Sequence, residues 1–156
     1  MTQLNYINKP VFDHGAIEQI SEVLGGIGIK KPLICTDPEL VQLGMLDQLR
    51  NLISNEFTPI IFDQTPANPT QEAVEKALEI YMAEGCDGII GFGGGSSIDL
   101  GKAVSILATH EGTILDYSVN EGGVEKISEP SLRNKPISIF LCLYSSTSFE
   151  PRKNMA

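Results

Sequence analysis

Positive charge is scarce in this sequence. Eleven Lys and Arg stand against 20 Asp and Glu, a formal net charge of −9 at pH 7. Chains that grip nucleic-acid backbones ordinarily carry the opposite balance, so that partner class is set aside. Any phosphate held here must be held by local amides and dipoles against the overall field. Cysteine is sparse as well: Cys35, Cys86 and Cys142 are odd in number and far apart, with no C-x-x-C pair. That excludes a disulfide scaffold and fits a reducing compartment, with the cytoplasm as the expected location. The two histidines, His14 and His110, are isolated, and no His/Asp set has metal-ligand spacing; each reads as a surface or loop residue. No apolar run approaches the ~20 residues that span a bilayer, and Met-Thr-Gln-Leu-Asn-Tyr at the N-terminus is no signal peptide, so no membrane partner is expected.

What is present suits one folded domain over residues 1–156. Hydrophobic residues make up 42% of the chain, enough for a packed core in place of disorder. Helical and strand-like patterns alternate. Gly15–Leu24 reads as a helix with Ile17, Ile20 and Leu24 on one face and Gly25 ending it. Pro32–Thr36 reads as a buried strand, Met45–Ser54 as a helix and Phe57–Phe62 as a second strand. Asn68 or Thr70 can cap a helix that runs to Glu84, with Pro69 in its first turn and Gly85 as its stop. A strand over 88–92, a helix over Ser97–His110, a surface loop over 118–135 and a strand over Pro136–Leu143 complete the reading. This order predicts an α/β fold, a Rossmann-like parallel sheet with helices on both faces. Ligands of such sheets bind at the carboxyl ends of the strands. Asp37, Asn68 and the glycines at 93–95 all follow predicted strands and are expected to share one rim.

The stretch Gly91-Phe-Gly-Gly-Gly-Ser-Ser-Ile-Asp-Leu-Gly-Lys-Ala103 carries the chemistry. Gly93, Gly94 and Gly95 lie between strand and helix, where the backbone can approach a ligand closely. The helix start offers unpaired N–H groups and the positive end of a dipole, a natural phosphate site. Ser96 and Ser97 add hydroxyls. It is not a Walker A loop, because no Gly-Lys-Ser/Thr follows the glycines and Lys102 lies two turns into the helix. It also departs from the usual Rossmann fingerprint, which follows the first strand with an acid downstream. Here the glycines follow a later strand, and the acid, Asp37, lies upstream. A carboxylate at Asp37 accepts ribose hydroxyls and repels a 2′-phosphate, favouring NAD over NADP; the plainer role is an N-cap for a short helix at Pro38. Asp99 and Lys102, three apart on a helix, form either a surface ion pair or, through Asp99, a brace for the glycine turn.

Together, Phe12-Asp13-His14-Gly15-Ala16-Ile17, Thr36-Asp37, Asn68-Pro69-Thr70 and Gly93-Gly94-Gly95-Ser96-Ser97-x-Asp99-x-x-Lys102 resemble, in that order and over about residues 8–137, the iron-containing (group III) alcohol dehydrogenases. The resemblance implies reversible hydride transfer between NAD(P) and a small primary alcohol or aldehyde. It implies a dinucleotide-binding α/β domain with contacts from Asp37, Asn68, Gly93, Gly94, Gly95, Ser96, Ser97, Asp99 and Thr147. It also implies a catalytic iron or zinc held by one aspartate and three histidines of a following helical domain, none of them in this chain. Glycerol dehydrogenases and dehydroquinate synthases share that fold, but their glycine turns continue differently from Ser96-Ser97. After Pro136 the family shows Pro-Thr-Thr-x-Gly-Thr-Gly-Ser-Glu. This chain has Phe140-Leu-Cys-Leu-Tyr-Ser-Ser-Thr-Ser-Phe-Glu150, with only Thr147 and Glu150 on the pattern, Asn154 just beyond and one extra residue. The expectation is a truncated or frame-disrupted copy, divergent from about residue 139, inactive by itself and self-associating through an uncovered apolar face. The competing expectation is a nucleotide-binding or interaction module without turnover.

Overall fold

The structure, a computed structural model, describes residues 15–117 and the backbone of the strand over 138–142. His14, Thr147, Glu150, Asn154 and the loop predicted over 118–135 lie outside the described residues. A short 3-10 turn (Ala16–Gln19) leads into α1 (Ile20–Ile27). Then follow β1 (Pro32–Cys35), α2 (Pro38–Gln42), α3 (Met45–Leu52), β2 (Ile60–Phe62), α4 (Gln71–Ala83), β3 (Gly88–Gly93) and α5 (Gly95–Leu107). A 3-10 turn (Ile114–Tyr117) and β4 (Ser138–Cys142) come last. Among the described residues no helix is long and apolar enough to cross a membrane.

The four strands form one sheet in the order β2-β1-β3-β4. All three pairings are parallel: Leu33 stands beside Ile60 and Ile89, and Ile90 beside Ile139. Alternation along the strands splits the core in two. Leu33, Cys35 and Ile89 face α4 and α5, packing with Ala73, Val74, Ala77, Leu100 and Val104. Ile34, Ile90 and Phe92 point the other way, onto Ile20 and Leu24 of α1 and Leu46 and Leu49 of α3. Helices therefore cover both faces, as the sequence order predicts. One brace had no signal in the sequence pattern. The Asp87 carboxylate accepts the backbone N–H groups of Lys30 (2.8 Å) and Lys31 (2.7 Å), locking the start of β1 to the start of β3.

Several boundaries differ from expectation. Helix α1 does not stop at Gly25; it continues through Gly26 to Ile27. The stop is Gly28 (φ 79°), where Gly28 N–H donates to Gly25 O and Ile29 N–H to Leu24 O, satisfying the last carbonyls. Helix α3 ends at Leu52, and β2 is limited to Ile60–Phe62. Thr70, not Asn68, caps α4: its hydroxyl accepts Ala73 N–H at 3.2 Å, which leaves Pro69 outside the first turn. Gly85 (φ 64°) lies just past the end of α4, as expected. Helix α5 begins at Gly95, two residues before the predicted Ser97, and ends at Leu107 instead of His110.

Candidate functional site

The strand order reverses direction of winding between β1 and β3. From β1 the chain moves outward to β2, then returns across β1 to place β3 on its other side. At such a point the loops leaving the two central strands diverge and open a crevice beyond their carboxyl ends. Asp37 leaves β1 there and Gly93 leaves β3.

The crevice floor depends on two glycines. At Gly91 a Cβ would lie 3.1 Å from Ile98 Cα and 3.3 Å from Ser97 O, so its absence lets the first turn of α5 press onto β3. At Gly93 the backbone has φ 141°, a conformation that disfavours side chains. A Cβ there would also lie 2.9 Å from Ser97 Oγ, 3.0 Å from Asp37 Oδ2 and 3.0 Å from Leu40 Cδ1. Gly94 and Gly95 are different. Gly94 has an ordinary extended backbone (φ −77°, ψ −170°), Gly95 is the first residue of the helix, and no atom of the described residues lies within 4 Å of a Cβ built on either. Nothing among the described residues requires glycine at these two exposed positions. What their small size does is keep the space before α5 clear.

That space faces a helix start with no cap of its own. Gly94 is the N-cap and supplies no side-chain acceptor, and no acid occupies the first turn. The first bond back is Ile98 N–H to Gly94 O at 3.3 Å, so the N–H groups of Gly95, Ser96 and Ser97 have no partner inside the helix. Helices α2 and α4, in contrast, are capped by Asp37 and Thr70. The Ser97 hydroxyl lies at the same place, 1% exposed and without a hydrogen-bond partner among the described residues. Thr36 Oγ1 and Thr65 Oγ1, at the ends of β1 and β2, share that condition. Three buried, unpartnered hydroxyls along one rim are uncommon in a folded interior.

The remaining predicted residues fall as follows. Asp37 is half-buried. Its Oδ1 accepts Leu40 N–H at 3.0 Å as the α2 cap, while Oδ2 lies beside Gly93. Of the two roles considered for Asp37, the helix cap is the one observed, through Oδ1. Ser96 Oγ donates to Ala67 O, bringing the loop that carries the exposed Asn68 against the glycine turn. Asp99 is exposed and pairs with Lys102 Nζ at 2.8 Å, so its carboxylate serves a surface ion pair and does not brace the turn. In the sequence Thr36 stands out only as part of the Thr36-Asp37 motif, with no role for its hydroxyl, and Thr65 does not stand out at all. Their signal, a hydroxyl just after an apolar strand, is too common to have found them.

Neither described thiol suits nucleophilic chemistry here. Burial, with Cys86 adding, pushes the Cys35 thiol up to about 12, and burial foremost pushes Cys86 up to about 11. Among the described residues no group of three or more His, Cys, Asp or Glu could hold a metal ion. A separate hollow lined by Asp47, Arg50, Asn51 and Phe57 lies between the end of α3 and the start of β2. It is away from the carboxyl ends of the strands and contains none of the unpartnered hydroxyls.

A family model of iron-containing alcohol dehydrogenases matches residues 8–148. The chain belongs to that family. The match reaches past the 8–137 stretch legible from motifs. The 4-hydroxybutyrate dehydrogenase of Cupriavidus necator is 39% identical over 129 residues, which are 83% of this chain and 34% of that protein. The 1,3-propanediol dehydrogenase of Citrobacter freundii is 35% identical over 126 residues, 79% of this chain and 32% of that one. Among solved structures, the NADH-dependent butanol dehydrogenase A of Thermotoga maritima superposes with a TM-score of 0.65 at 28% identity, over 75% of this chain and 31% of its own. The chain thus spans about a third of the length of these family members.

Proposed function

We propose that this chain supplies the dinucleotide-binding portion of an NAD-dependent alcohol dehydrogenase, which interconverts a small alcohol and its aldehyde in the cytoplasm. One observation carries the reading. The uncapped amides of α5 open onto a space kept clear by Gly94 and Gly95, beside the unpartnered Ser97 hydroxyl. Donors gathered around cleared space suit a diphosphate. The N–H groups of Gly95, Ser96 and Ser97 would hold it, with the helix dipole offsetting the unfavourable net charge of −9.

Asp37 Oδ2 is the acceptor for a ribose hydroxyl, and its charge disfavours a 2′-phosphate; NAD is therefore the preferred cofactor over NADP. Oδ1 remains on Leu40 N–H, which fixes the carboxylate's orientation. Asn68 borders the same rim from the β2 side, and Thr147 is assigned to the cofactor on its motif position alone. Bound there, NAD would supply the two-electron hydride acceptor that oxidation of an alcohol to its aldehyde requires, with the hydroxyl proton released. This chain's own residues bind and orient the nucleotide; the described ones hold no metal-ligand cluster. Self-association belongs to the same reading, with Leu43, Met82 and Leu115 more than half exposed.

Calorimetric titration of the chain with NADH and with ADP-ribose tests the proposal. Saturable binding of both with one site per chain is expected. Heats indistinguishable from dilution for both ligands would defeat it.

A further inference from the structure

The segment between β2 and α4 is fixed at its two ends. Thr65 N–H donates to Thr36 O at 3.2 Å, and Thr70 caps α4. Between them stand Pro66 and Pro69, which have no N–H to donate, and Ala67 and Asn68, which are exposed. Among the described residues, the hydrogen bond that reaches into this middle stretch is the one from Ser96 Oγ to Ala67 O. It links positions 29 residues apart in sequence, across the crevice.

The direction of that bond matters. A carbonyl oxygen only accepts, so the single hydroxyl proton of Ser96 points at Ala67. The same proton cannot also serve an anion in front of α5, although the Ser96 backbone N–H can. Ser97 is arranged the other way, with a buried hydroxyl that has no partner. Neighbouring serines thus divide their work. We infer that Ser96 is a positioning residue, whose hydroxyl tethers the β2–α4 loop, and with it Asn68, to the amino end of α5. Its effect on nucleotide binding rests on the reading given above, while the tether itself does not. Ser96 acts on the nucleoside side of the ligand through the loop and on the diphosphate only through its backbone N–H.

The full chain, with Ser96→Ala and Ser96→Thr variants, tests this in two ways. Heteronuclear 15N relaxation without ligand reads the tether. The Ala67 and Asn68 amides gain fast motion in S96A and return to wild-type values in S96T, which keeps the hydroxyl. Calorimetry with ADP and with inorganic pyrophosphate reads the consequence. S96A weakens ADP by about tenfold, a loss of the size expected for one hydrogen bond, and leaves pyrophosphate within about twofold. Unchanged relaxation in S96A, or equal loss for ADP and pyrophosphate, overturns the inference, the second outcome because the hydroxyl would then be a phosphate donor. If wild type binds neither ADP nor pyrophosphate, the nucleotide reading falls and the relaxation result alone decides the tether.

Discussion

Asp37 Oδ2 and Ser97 Oγ flank the α-carbon of Gly93 so closely that a single methyl there would lie 3.0 Å from the first and 2.9 Å from the second. A carboxylate leaving one central strand and a hydroxyl on the helix after the other meet over a residue with no side chain. The candidate site exists because Gly93 leaves that volume free.

Gly93→Ala and Gly94→Ala therefore separate folding from binding. At Gly93 the methyl meets three neighbours and the backbone has φ 141°, so the variant loses about 1–3 kcal/mol of unfolding free energy. At Gly94 the backbone is ordinary and no atom of the described residues is near. That variant stays within about 1 kcal/mol of wild type, near the cost of a less suitable N-cap residue. It nevertheless binds ADP-ribose at least about tenfold more weakly, because the methyl occupies the cleared space. Denaturant titration and calorimetry on the two proteins check the pair. Wild-type ADP-ribose affinity in Gly94→Ala would contradict the role given to that space.

Asp37→Asn keeps a good helix cap and removes the charge. Stability should change by less than about 0.5 kcal/mol, within the range of near-neutral substitutions. The affinity ratio of ADP-ribose to its 2′-phosphorylated form should fall by about tenfold or more as the repulsion disappears. Asp37→Ala adds the lost bond to Leu40 N–H and so costs about 1 kcal/mol in addition. A ratio that does not move in Asp37→Asn removes Asp37 from cofactor selection.

Thr70→Ala deletes the cap that Ala73 N–H uses, and is expected to cost about 1 kcal/mol. Asn68→Ala deletes an exposed side chain that caps nothing, and should leave unfolding unchanged within about 0.5 kcal/mol. Thermal melts of both variants, run side by side, decide which residue starts α4. Equal losses would mean that both contribute to the cap.

Alkaline pH should unfold the protein through buried acids that resist ionising. Burial, then Cys86, pushes Cys35 from 9.0 to about 12, and burial foremost pushes Cys86 from 9.0 to about 11. Burial, then Cys86 and Asp87, pushes Tyr81 from 10.0 to about 12. In each case the folded state holds its proton where the unfolded chain has released it. The stability is present in full below pH 9 and declines from there toward pH 12, because the unfolded state binds fewer protons over that window. Urea midpoints measured from pH 7 to 11 should be level at first and then drop. Thiol alkylation of the native protein at pH 8 should be slow. A midpoint that rises above pH 9 would contradict the sign.

Local chemistry was readable in detail. Apolar spacing located α4 and the two central strands, Thr70 and Asn68 both stood as possible caps, and the glycines before Ser96 marked the turn from β3 into α5. Reading failed where two local signals competed. Gly25 resembles a helix stop, but a left-handed residue followed by a buried Ile29 is available three positions later, and Gly28 fulfils the capping geometry. The sequence pattern starts α5 at Ser97, after the glycine turn. In the fold Ser97 is buried in the first turn, and Gly94 is the cap.

Hydrophobic alternation, caps and turn glycines act over a few residues, and they sufficed for the element order and the α/β class; the dehydrogenase family was legible only as a resemblance of ordered motif strings, from Phe12-Asp13-His14-Gly15 to Lys102. They do not specify which edge of β1 receives β2 and which receives β3, since either arrangement buries the same strand faces. Only packing both faces of the sheet against their helices selects the order β2-β1-β3-β4. That order brings Asp37, Gly93 and Ser97 to one crevice and turns Ser96 toward Ala67. Neighbours created by strand order have no local signature, because the contacts that choose them are long-range.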